Sequence, residues 1–83
     1  MNRRYASPQE LLGLMRPWFE RIERGAGVVL TSTVLNRDSF ELLARWKNNK
    51  EHKKRYYIAT MGKDPCDYAK EFLLELLEQR GVV

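Results

Sequence analysis

Residues 39–47, SFELLARWK, decide what this chain can fold into. With a period of two, Phe40, Leu42, Ala44 and Trp46 fall on one face and Glu41, Arg45 and Lys47 on the other, with only Leu43 out of step. With a helical period, Asp38 and Glu41 supply a capping pair, the residues are good helix formers, and Phe40, Leu43 and Ala44 share a stripe. The neighbouring segments break the tie. A helix here leaves only two strands, too few for an independent sheet, whereas a strand completes three with a helix at each end. The sequence therefore predicts an α+β fold of order α-β-β-β-α, a three-stranded antiparallel meander with two helices packed on one face. The alternative is an αβαβα arrangement with residues 39–49 helical.

The flanking elements are read as follows. Residues 1–6 form a flexible arm carrying Arg3 and Arg4, and residues 7–83 a single α+β domain. Ser7-Pro8-Gln9-Glu10 is a helix start, with the Ser7 hydroxyl capping the Glu10 N–H and Pro8 at the first turn. Leu11, Met15, Trp18 and Ile22 follow at helical spacing, beside Leu12 and Phe19. Pro17 predicts a kink or two short helices near Arg16, and Gly25 and Gly27 an end. Residues 28–35, VVLTSTVL, are β-branched and read as a strand, and residues 55–61, RYYIATM, as a third. Asp64 caps and Pro65 opens a last helix reaching Gln79 or Arg80, with Gly81 as its stop. Tyr68, Ala69, Phe72, Leu73 and Leu76 form its apolar face, widened by Leu74 and Leu77, and Asp67, Glu71, Glu75 and Glu78 an acidic ridge.

Composition excludes several classes. With 43% hydrophobic residues in 83, the chain has enough apolar surface to fold. No apolar run approaches the ~18–20 residues of a membrane span, and no leader pattern is present at residue 1. One cysteine, Cys66, allows no intrachain disulfide and predicts a reducing, cytoplasmic setting.

No catalytic set assembles, so the sequence predicts a non-enzymatic chain without cofactor or metal. His52, the one histidine, reads as a solvated loop residue, and Cys66 as a small packing residue at a helix start flanked by Asp64 and Asp67. Asp64, Asp67 and Glu71 lie at spacings explained by the helix dipole without a cation.

The feature with chemistry in it is the basic run of residues 45–55, RWKNNKEHKKR. Six cations stand against Glu51 alone, a local +5 in a chain of net +4, so the rest carries −1. The expectation is a basic hairpin in which Arg45 and Lys47 project from the strand face opposite Trp46 and Lys50, Lys53, Lys54 and Arg55 crowd a loop. Asn48 and Asn49 would add amide contacts, and Tyr56 or Tyr57 a ring for stacking. Such a surface fits a nucleic-acid-binding accessory protein, for DNA or RNA alike, contacting phosphates through Arg45, Lys47, Asn48, Lys50, Lys53, Lys54, Arg55 and Tyr57. The alternative is a protein-protein interaction module, an adaptor or small inhibitor, docking on an acidic surface or forming a homodimer. Leu74, Leu77 and Trp18 would then be its contact face. The predicted element order is also that of double-stranded-RNA-binding domains. Those place a lysine-rich cluster at the start of the last helix, where this chain has Asp64 and Asp67, so no family is assigned on the sequence.

Overall fold

The computed structural model describes residues 5–60 and 62–79. Ser7 opens α1 (Pro8–Met15) as its pattern requires. Its hydroxyl accepts the Glu10 N–H at 3.2 Å, and the Glu10 carboxylate returns to the Ala6 N–H. Pro17 cannot continue the ladder, so a 3-10 turn (Arg16–Trp18) separates α1 from α2 (Phe19–Ala26). Gly25 lies inside α2, where a Cβ would meet a Leu73 methyl at 3.2 Å; its bare Cα lets α2 approach the last helix. Gly27 ends α2 in the left-handed conformation, φ 69°.

Three strands follow: β1 (Val28–Asn36), β2 (Ser39–Trp46) and β3 (Glu51–Tyr57), an antiparallel sheet in that order. Residues 39–46 are thus a strand, and the helical alternative does not occur. Val28 opposes Trp46, Thr31 opposes Leu43, and the β1–β2 register slips by one residue between Val34 and Asn36. After a 3-10 turn (Ile58–Thr60), α3 (Pro65–Gln79) closes the described chain, and α1, α2 and α3 cover one face of the sheet. No helix among the described residues is long and apolar enough to cross a membrane.

The third strand corrects the sequence reading. It runs from 51 to 57, not 55 to 61, because the β2–β3 hairpin is tight. Trp46 N–H donates to the Lys50 carbonyl at 2.9 Å and Asn49 N–H to the Trp46 carbonyl at 3.0 Å, with Asn49 at φ 69°. Pairing with β2 recruits the charged residues EHKKR into the sheet despite their composition, and the aliphatic stems of such side chains tolerate it.

The core is built on the inner face of β2. Phe40, Leu42 and Ala44 are fully buried, with Leu11, Met15, Ile22, Phe72 and Leu76 closing over them. Phe40 stacks on Tyr56 at 5.1 Å, and Tyr56 meets Tyr68 edge-on at 6.1 Å. Tyr5, assigned by sequence to the arm, is buried as well. Its hydroxyl donates to the Lys63 carbonyl at 2.7 Å, while the Lys63 N–H donates to the Tyr68 hydroxyl, so two tyrosines hold the turn before α3. Residues 1–4, with Arg3 and Arg4, and the stop at Gly81 lie outside the described residues.

Two outcomes test this packing. Phe72→Ala removes a fully buried ring and is expected to lower unfolding free energy by about 3–5 kcal/mol in a urea titration. Burial, reinforced by Glu75 and Glu71, pushes the Tyr56 phenol well above its usual value. Its neutral form is favoured by folding, so that stability is complete below the unfolded pKa of about 10 and declines as pH rises past it. Tyr56→Phe is expected to flatten that alkaline decline.

Candidate nucleic-acid interface

Strand alternation sorts the basic run into two populations. On β3, Glu51, Lys53, Arg55 and Tyr57 project to the uncovered face of the sheet, while His52, Lys54 and Tyr56 project toward the helices. On β2, Arg45, Leu43 and Glu41 share the uncovered face, and on β1, Val29, Thr31 and Thr33.

The helix-facing population is engaged by α3. Lys54 Nζ pairs with Glu75 Oε2 and lies 5.6 Å from the Tyr56 ring, with both ionic side chains one-third exposed. Glu75 Oε1 is 3.2 Å from His52 Nε2, and His52 tilts against Phe72 at 5.9 Å. His52 is therefore a half-buried strand residue, not a solvated loop histidine. Two of the four carboxylates of the acidic ridge of α3 find cations within the same chain, Glu75 here and Glu71 with Lys63. Tyr56, one of two rings expected to stack on a base, is buried against Phe40.

The hairpin tip is partly committed too. Lys50 Nζ donates to the Gln79 carbonyl at 2.6 Å and sits 5.8 Å over the Trp46 ring. Asn48 Oδ1 accepts the Lys50 N–H at 3.0 Å, a turn-building contact. Arg45 is bound on its own face by Glu51, with Nε and Nη2 donating to one carboxylate oxygen at 2.8 and 2.5 Å.

What remains outward is Lys47, Lys53 and Arg55 around Arg45. Lys47 and Lys53 make no ion pair among the described residues. Arg55 lies across from Glu41 and donates to the Tyr57 hydroxyl at 3.3 Å. Beside them Val29, Thr31, Leu43 and Arg45 line an apolar groove of about 230 Å³, in which Val29 is 65% exposed. Thus seven of the eight predicted contact residues remain exposed, Arg45, Lys53, Arg55 and Tyr57 on the sheet and Lys47, Asn48 and Lys50 at the hairpin tip, and Lys54 alone is drawn under α3. The groove was not read from the sequence, although the same alternation that sorted β2 assigns Val29 and Leu43 to it.

Of the second predicted face, Leu74 is 60% exposed, Leu77 is half-buried, and Trp18 packs against the core. Cys66 is half-buried. Among the described residues no group of three His, Cys, Asp or Glu is placed to hold a metal ion.

No family model, curated protein or solved structure matches the chain.

The two kinds of ion pair should behave differently. Glu75→Ala strands Lys54 and His52 beneath α3 and is expected to destabilise by about 1–2 kcal/mol. Glu51→Ala releases a pair whose arginine is 56% exposed and should change stability by less than about 0.5 kcal/mol. Paired chemical denaturation of both variants checks the contrast.

Proposed function

We propose that this chain is a small binding module that holds nucleic acid on the uncovered face of its sheet and the adjoining hairpin tip. The observation supporting this reading is the grouping of Arg45, Lys53 and Arg55 on the sheet face that no described helix covers, with Tyr57 among them and the exposed Lys47 in the adjoining turn. Lysines and arginines so placed neutralise phosphates without reading bases, and the Tyr57 ring offers a stacking surface in a single strand. Glu41 and Glu51 temper this field, so the contact is with a few phosphates. Lys54 is not part of it.

A second reading has its own support. Val29 is 65% exposed beside Leu43, apolar surface that phosphate contact does not require, and an acidic protein partner with an aliphatic anchor would use it together with the cations.

Fluorescence anisotropy with labelled single-stranded and duplex oligonucleotides, repeated across a salt series, separates the two. For three to four phosphates the slope of log K on log salt is expected at about −2 to −3.6. Lys53→Ala should reduce its magnitude by nearly one, and Lys54→Ala should leave it unchanged. No binding at low salt, or binding indifferent to salt, overturns the nucleic-acid reading.

A further inference from the structure

The outer edge of β1 is chemically unlike every other boundary of the sheet. The hairpin bond from Trp46 N–H to Lys50 makes the even-numbered residues of β2 bond toward β3 and its odd-numbered residues toward β1. Opposite them, Val29, Thr31 and Thr33 bond to β2, while Leu30, Ser32 and Val34 aim their N–H and C=O groups away from the sheet. Leu30 confirms this direction, because its N–H donates to the Glu23 carboxylate at 2.9 Å. For Ser32 and Val34 no partner on that side exists among the described residues.

This edge carries no charge from Val28 to Asn36, whereas the β3 edge carries Glu51, Lys53, Lys54 and Arg55. Charged edges resist pairing with another strand, and uncharged β-branched ones invite it. The β1 sequence is also nearly symmetric in side-chain type about Ser32, reading Leu30-Thr31-Ser32-Thr33-Val34. An antiparallel pair related by a two-fold axis must match each residue with its mirror position, and here threonine meets threonine and aliphatic meets aliphatic. The parity fits as well, since Leu30, Ser32 and Val34 are the residues whose backbone groups point outward.

We propose that β1 pairs with β1 of a second copy about a two-fold axis through Ser32, giving a continuous six-stranded sheet. Ser32 faces Ser32, Leu30 faces Val34, and Thr31 faces Thr33 of the second copy. The Val34 carbonyl of that copy replaces Glu23 on the Leu30 N–H, so Glu23 acts as a guard that occupies the edge in the single chain. The one-residue slip after Val34 ends the pairing there. Both helical layers then lie on one side and both uncovered faces on the other, with the two Lys53 positions about 24 Å apart across five strand spacings. This pairing does not depend on what the uncovered face binds.

Sedimentation equilibrium of the full chain, from micromolar to near-millimolar concentration, is expected to show a monomer–dimer equilibrium. Ser32→Lys sets two ammonium groups opposite each other at the axis and should raise the dissociation constant about tenfold or more. Glu23→Ala, which removes the acceptor from the Leu30 N–H, should strengthen the dimer. A Ser32→Cys, Cys66→Ser variant, which keeps the size of the side chain, should form a disulfide-linked dimer on mild oxidation without change in circular dichroism. This arm decides the matter if the lysine variant does not fold. A strict monomer, or a dimer indifferent to Ser32→Lys that gives no Ser32→Cys crosslink, overturns the proposal.

Discussion

Everything in this fold depends on β2 having one wholly buried face. Phe40, Leu42 and Ala44 admit no solvent and Trp46 almost none, and because side chains alternate strictly along a strand, this burial fixes β2 in register with both neighbours. A slip of one residue would bring Glu41, Leu43 and Arg45 under the helices and expose four apolar side chains. The three-residue turn at Pro17 and the bare Cα of Gly25 serve the same end. The turn joins two short helices that both cover the sheet, and Gly25 leaves room for α3 beside α2.

The same alternation decides which charges are available. Lys53 and Lys54 are adjacent in sequence, yet one points to solvent and the other beneath α3, where Glu75 holds it together with His52. A charge run read along the chain is therefore a poor measure of a charged surface. The strand divides it between two environments, and the acidic residues of α3 offset the inward share. Arg45 with Glu51, and Arg55 across from Glu41, reduce the outward share further, so the uncovered face is a modest cationic field set beside apolar surface.

How much of this was legible follows from where the signal lies. The strand at 39–46 could be read because its alternation agrees with the need for a third strand beside its neighbours. The α1 start could be read because Ser7, Pro8 and Glu10 each have a local role, and the break because Pro17 lacks a donor. The position of β3 could not be read from its own residues. EHKKR has neither β propensity nor apolar alternation, and it becomes a strand because the tight turn at 47–50 carries it back alongside β2. His52 and Tyr5 were misplaced for a related reason: each acts through a residue distant in sequence, Glu75 for one and Lys63 for the other. Pairings of that range leave no local pattern.

A sheet covered on one side leaves two edges and one face to be dealt with, and the chain treats each differently. The β3 edge is lined with charge, which blocks pairing by desolvation and repulsion. The far end of β1 is closed by the register slip at Val34–Asn36, where Asn36 turns its side-chain oxygen to the Asp38 N–H and the Ser39 hydroxyl. The near end of β1 is held by Glu23 on Leu30. Between these two lies the uncharged centre of β1, and above it the uncovered face with Val29, Leu43 and the outward cations. Surfaces whose hydrogen-bonding groups or apolar atoms are unmatched in the isolated fold are where association yields free energy, and here both lie along the same side of the molecule. The covered half of the sheet accounts for the stability of the fold, and its uncovered half for the contacts the fold can make.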